Sequence, residues 1–306
     1  MRVWAWLGLM LVLAGLAEAQ GAMGPAVPPA TATPQAVREA LRGYGGQVTF
    51  AALNFKTGAR IEWRADVPVA TASTIKLPIM VEVAYEVAAG KLAWDMPLHL
   101  RAADKVQGSG ILQDLSDGLP LTLGDAVLLM IVESDNTATN LVIDQVGIPA
   151  VNARMQALGL HDTVLYKKVF RPIEGPAPPD QARFGLGKTT ARDMLTLLTL
   201  LHAHKLASPA ACDRMLQVLA KQRDVDGFPR YTDQLQARLG GAMTWAHKTG
   251  ALDDIRNDVG ILSTPKGELA MAAFAYDSPD HAWTADNAAT LVVARLALTT
   301  ATVMLH

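Results

Sequence analysis

Cysteine, net charge and metal-ligand spacings are what this chain lacks. Its one cysteine, Cys212, rules out an internal disulfide, so stability must come from packing, which 306 residues permit. Cys212 lies on the apolar side of a helical pattern in "SPAACDRMLQVL", where a buried structural thiol is expected. The charge is −2, from 27 basic and 29 acidic residues, which excludes nucleic acid or an anionic membrane as the expected partner. His202 and His204 flank a single residue in a helical pattern and so point apart. No H-x-H-x-D or H-E-x-x-H run is present, so neither a metal site nor a cofactor is expected. No internal repeat is visible. Half of the residues are hydrophobic and 18% are charged, a globular composition sized for one large domain or two small ones.

The apolar runs sit at the two ends. Met1-Arg2, an uncharged run from Val3 to Ala17 and Ala17-Glu18-Ala19 form the pattern of a secretory signal peptide over 1–19, with Gln20 the mature start. The run is short for a membrane span. Secretion or a periplasmic location, with no stable membrane anchor after cleavage, is therefore expected. Residues 20–34 are rich in Pro, Ala and Gly and read as a linker. At the other end, a helix from about Ala285 to Leu305 is interrupted by Asp286 and Arg295, so it is expected to pack on a sheet.

Between these ends the chain changes character twice. A short helix at 35–42 precedes "VTFAALNF" and "ARIEWRAD", which form a hairpin around "KTG". The middle is helical: "STIKLPIMVEVAYEVAAGKL" opens with Ser and Thr at the cap, and five further amphipathic segments follow, each read as capped by a short polar residue. Residues 167–188 form a loop with four prolines, long enough to suggest a function. "AMTWAHKTG", "NDVGILST" and "ELAMAAFAY" return to strands. The expected fold is α/β in the α+β sense. An antiparallel sheet from 35–66 and 226–306, flanked by helices, receives an all-helical insertion at 67–225. A cleft between the two is the natural place for a site.

Three short motifs carry chemistry. Ser73 and Lys76 stand three apart at a helix start, so the amine can reach the hydroxyl from the next turn, and the helix N-terminus favours negative charge there. A serine nucleophile needs such a base, and a lysine base must be neutral, which requires burial or a neighbouring cation. The pair alone is too short to decide anything. Ser134-Asp135-Asn136 at a helix junction and Lys248-Thr249-Gly250 on a strand change that, because S-x-x-K, S-D-N and K-T-G in this order form the signature of penicillin-recognising serine enzymes. An earlier copy, Lys56-Thr57-Gly58, falls in a hairpin turn, where glycine is expected for backbone reasons.

On these motifs the chain resembles the class A serine β-lactamase family and the related penicillin-binding DD-peptidases. "SDNTATNLVIDQVG", "TTARDM" and "HKTGALDDIRNDVGIL" extend the resemblance over nearly all of the mature chain. It implies Ser73 as the acylated nucleophile, Lys76 as its base or relay, and Ser134 as the proton donor to the leaving nitrogen, held by Lys248. It implies Asn136 for the substrate's side-chain amide, Thr249 and Arg256 for its carboxylate, and the N–H groups of Ser73 and Ala251 as the oxyanion hole. Gly250, without a side chain, lets substrate lie along the strand edge. Strict alternation puts Lys248 and Thr249 on opposite faces, so both serve only from a twisted edge strand. The implied partner is a small β-lactam, or a D-Ala-D-Ala-like peptide, acted on by a monomer. The resemblance breaks in the loop, where the family carries Glu-x-x-Leu-Asn after an Arg to supply the deacylation base. Here Arg171 and Glu174 are followed by Gly-Pro-Ala-Pro-Pro, with Asp180 the other acid. That leaves a β-lactamase and a DD-peptidase, esterase or slow-turnover penicillin-binding protein as the two readings.

Overall fold

The computed structural model describes residues 34–173 and 175–306. The signal peptide and, apart from Pro34, the linker lie outside the described residues, as does Glu174. In chain order, helix α1 (Pro34–Ala40) precedes strands β1 (Gln47–Asn54), β2 (Arg60–Trp63) and β3 (Val69–Ala70), a 3-10 turn (Ala72–Ile75) and α2 (Lys76–Ala88). Then come β4 (Pro97–His99), β5 (Pro120–Thr122), α3 (Leu123–Val132), α4 (Asn136–Val146), α5 (Ile148–Ala157) and β6 (Val164–Leu165). They are followed by α6 (Gln181–Phe184), β7 (Gly187–Thr189), α7 (Ala191–His202), α8 (Pro209–Leu219) and α9 (Thr232–Leu239). The chain closes with β8 (Thr244–Leu252), β9 (Ile255–Thr264), β10 (Gly267–Tyr276) and α10 (Ala288–Met304).

The main sheet is antiparallel, in the order β2-β1-β10-β9-β8. Strand β10 shows why its sequence is apolar without alternating. Leu269, Met271, Ala273 and Ala275 join a core beneath α1, α9 and α10, while Ala270, Ala272 and Phe274 join the core shared with α2, α3, α7 and α8. A strand covered on both faces needs apolar residues at every position. Helix α10 packs on β9 and β10, as its charge interruptions suggest, and none of the described helices is long and apolar enough to cross a membrane. Cys212 is fully buried, its thiol against Leu206 O at 3.0 Å.

Several sequence expectations need correction. The insertion is not all-helical: it also carries the small sheets β3-β7-β6 and β4-β5. Strands of two or three residues are too short to show a period, which is why they were invisible. The 167–188 loop is partly ordered into α6 and β7, and β7 joins the residues just before Ser73 through Val69↔Thr189 and Ala70↔Lys188. Helix α5 starts behind Gly147, with Pro149 in its first turn and without a side-chain cap. Helix α9 was not anticipated. The Lys56-Thr57-Gly58 turn is structural: Asn54 Oδ1 accepts from the Lys56 and Thr57 N–H groups, and Gly58 has φ +72°.

Asp135 joins α3, α4 and the 105–112 segment. It caps α4 by accepting from Ala138 N at 2.8 Å, and its second oxygen accepts from Ile111 N and Leu112 N at 2.7 and 2.8 Å. Gly110 fits only because it has no Cβ, which would fall 2.2 Å from the Asp135 carboxyl carbon. Asp135→Ala would strand three N–H groups, those of Leu112 and Ala138 in full burial, and we expect it to lower unfolding free energy by about 2–4 kcal/mol, measured by urea denaturation.

Candidate active site

The turn that carries Ser73 is held from both sides. Thr71 is buried and gives both its N–H and its hydroxyl to Gly187 O, at 2.9 and 3.0 Å. Thr74 Oγ1 donates back to Thr71 O at 2.7 Å, and Asn257 Nδ2 donates to Ala70 O and Thr71 O at 3.0 and 3.2 Å. Ser73 and Thr74 are therefore not caps, contrary to expectation: the turn is 3-10, and Thr71 before it makes no side-chain cap bond. Ala72 has φ +46°, a left-handed conformation costing a non-glycine residue about 1–2 kcal/mol. Ser134 and Phe170, also at the cleft, share this feature with φ of +52° and +51°, and strain of this kind gathers at functional sites.

Two elements deliver two amines to a hydroxyl supplied by a third. Lys76, from the first turn of α2, is fully buried and donates to Ser134 O at 2.7 Å, Ser134 Oγ at 3.1 Å and Asn136 Oδ1 at 3.0 Å. Lys248, from β8, is also fully buried and donates to Ser134 Oγ at 3.2 Å and Thr249 O at 2.8 Å. Burial lowers the Lys76 amine well below the ordinary lysine range, the charge of Lys248 adds to this, and Asp135 opposes it. Burial also pushes Lys248 down to about 8, against Asp224 and Asp258. A hydroxyl has two acceptor lone pairs and one proton. With both lone pairs of Ser134 facing amines, its proton is left for a third partner. Lys76 makes no hydrogen bond to Ser73 Oγ in this arrangement, so the S-x-x-K spacing brings the two side chains to the same site without joining them.

Strand β8 is at the sheet edge, one of the two conditions for Lys248 and Thr249 to serve together. It runs close against the Ser73 turn: a Cβ on Gly250 would lie 3.0 Å from Ser73 N and 2.9 Å from Thr71 O. Ser73 and Ala251 both line a cleft of about 670 Å³, together with Asn136, Phe170, Leu252 and Trp283. Thr249, Gly250 and Arg256 line an adjoining recess. Arg256 is engaged more than its sequence assignment suggests. Its guanidinium donates to Leu252 O, to Ile255 O at 2.7 Å and to Ala282 O at 2.9 Å, and burial lowers its pKa. Asn136 Nδ2 gives one hydrogen to Gln107 O at 3.1 Å. Behind Thr249, His247 Nδ1 and Asp258 pair at 2.9 Å in full burial, and Asp258 also accepts from Phe228 N. Asn257 and Asp258 fall within the Arg-Asn-Asp run visible in the sequence, and His247 is only 11 residues from Asp258, but Phe228, Ala70 and Thr71, 30 or more residues away, are not legible there.

The loop after α5 is tethered at its start. Asn140 exchanges two hydrogen bonds with Val169, at 2.8 and 3.0 Å, and Arg171 donates to Ala103 O at 2.5 Å and Lys105 O at 3.3 Å. Asp180 accepts from Lys188 at 2.7 Å, which holds its carboxyl below the usual range. His202 pairs with Glu268 while stacked on Phe55, and His204 pairs with Asp213, so the two histidines serve different contacts.

A model of the β-lactamase enzyme family matches residues 32–303. Among solved structures, a β-lactamase from Sphaerobacter thermophilus DSM 20745 is 35% identical, with 89% of this chain and 97% of that one covered at a TM-score of 0.76. An ancestral class A β-lactamase is 25% identical, with coverage of 87% and 97% and a TM-score of 0.71. A mutant of PBP-A, solved as an acyl-enzyme complex with penicillin G, is 25% identical, with coverage of 88% and 94% and a TM-score of 0.71.

The close approach of β8 can be tested directly. Gly250→Ala forces the strand away from the Ser73 turn, and we expect a stability loss of about 1–3 kcal/mol in urea together with slower labelling of Ser73 by a serine-directed probe.

Proposed function

This chain belongs to the class A serine β-lactamase family, and from that membership we propose that it hydrolyses β-lactams through an acyl-enzyme on Ser73. The observation that carries the reading is the contact of two buried lysines with Ser134 Oγ. Lys76, with its lowered pKa, takes the Ser73 proton as the oxygen attacks the ring carbonyl. The N–H groups of Ser73 and Ala251 hold the oxyanion. The carbon–nitrogen bond breaks, and the ring nitrogen takes the proton of Ser134, which recovers one through Lys76. Thr249 binds the substrate carboxylate, with the Arg256 charge near it, and Lys248 holds Ser134 in place. The free hydrogen of Asn136 Nδ2 meets the acyl side chain. Water then cleaves the ester. The leader pattern at 1–19 supports action outside the cytoplasm.

A second reading, a penicillin-binding peptidase or esterase of slow turnover, draws support from the loop. Leu-Asn is absent there, and Asp180 is committed to Lys188. Intact-mass spectra after mixing with penicillin separate the two. We expect a Ser73 adduct of penicillin's mass that forms and clears within minutes, and no adduct in Ser73→Ala. An adduct persisting for hours contradicts hydrolysis and favours the second reading. Glu174→Gln locates the water-activating base: an adduct lifetime longer by about 10²-fold or more assigns it to Glu174, and an unchanged lifetime places it elsewhere.

A further inference from the structure

Trp283 is 66% exposed, the only exposed tryptophan among the described residues. A side chain this open to water adds little to the core, yet its surroundings are firmly built. Its loop joins β10 to α10. Asn287, fully buried, donates from Nδ2 to Asp280 O and Ala282 O, both at 2.9 Å. The Asp280 carboxylate accepts from Ala282 N and Ala288 N at 3.0 and 2.8 Å. Arg256 donates to Ala282 O, and its guanidinium carbon lies 4.6 Å from the centre of the Trp283 ring. A cation–π contact at this distance orients an indole without burying it. One face of the ring is thus supported by Arg256 and the remainder is free for a ligand.

Its position gives that free surface a use. Trp283 lines both the recess of Thr249 and Arg256 and the main cleft that holds Ser73. Leu252, 44% exposed, borders the same cleft. On the loop side, Phe170 is 57% exposed, with its ring over Gly108, where a Cβ would lie 3.0 Å away. Single exposed apolar residues are ordinary. Three of the seven large ones on the described surface converging on one cleft is a patch with a purpose.

We propose that Trp283 is a specificity-determining residue that packs on an uncharged aromatic substituent of the carboxylate-bearing ring of the substrate. The inference rests on the β-lactam reading, because a carboxylate held by Thr249 and Arg256 brings its ring alongside the indole. Leu252 extends the same wall, and Phe170 faces it from the loop side. Asp253 and Asp254 border the mouth, so an anionic substituent there meets like charge.

Two cephalosporins that differ only at the ring position next to the carboxylate-bearing carbon, one carrying an aryl group and the other a methyl, test this. We expect the ratio of their kcat/KM values, aryl over methyl, to fall about tenfold in Trp283→Ala and to be largely retained in Trp283→Phe. An unchanged ratio in Trp283→Ala overturns the proposal. So does an equal loss for both substrates, which would mean that the indole only supports Arg256. Intact-mass spectra of wild-type protein with the same two compounds separate this from failure of the underlying reading: no Ser73 adduct from either compound overturns the β-lactam function itself, and the Trp283 role with it.

Discussion

Two buried amines share one hydroxyl, and the rest of the architecture answers to that constraint. Lys76 and Lys248 are both removed from water and both donate to Ser134 Oγ. Burying a cation costs several kcal/mol even after relaxation, and two like charges this close add to it. Some of the cost is recovered by the carbonyls of Ser134 and Thr249 and by nearby carboxylates: Asp135 favours the Lys76 cation, and Asp224 and Asp258 favour that of Lys248. The remainder appears as lowered pKa values, which is the condition under which a lysine can accept a proton near neutral pH. A lysine whose folded pKa is about 8 and whose unfolded value is about 10.4 also weakens the fold below that range and ceases to do so as pH rises through it.

The fold makes the arrangement tolerable by bringing three unrelated stretches together with little freedom. Helix α2 supplies Lys76, the α3–α4 junction supplies Ser134, and the edge strand β8 supplies Lys248. Asp135 locks the junction to the 105–112 segment. Asn257 and Gly187 lock the Ser73 turn to β9 and β7. Gly250 lets β8 pass close to Ser73 N. The left-handed backbone at Ala72 and Ser134 is strain that a free chain would release and that these ties hold in place.

What could be read from the sequence was what is local or patterned. The three motifs, the terminal strands and the capped helices α3, α4, α7 and α8 each depend on a few neighbouring residues. What escaped depends on distant segments meeting. Two-residue strands such as β3 and β6 have no period to detect. The Thr-rich stretch before α2 looks like a cap until β7 takes the Thr71 hydroxyl. Arg256 reads as a free charge until Ala282 and Trp283 arrive from the β10–α10 loop. Trp283 itself belongs to no motif, and only its place beside the cleft gives it meaning.

Direct titration of the two lysines tests the central claim. With ¹³C-labelled lysine, NMR follows the Cε shift of each side chain, assigned by comparison with Lys76→Arg and Lys248→Arg. The account predicts that Lys248 titrates near 8 and that Lys76 loses its proton well below the ordinary lysine range. Two lysines that both stay protonated to about pH 10, as in open solution, would contradict it.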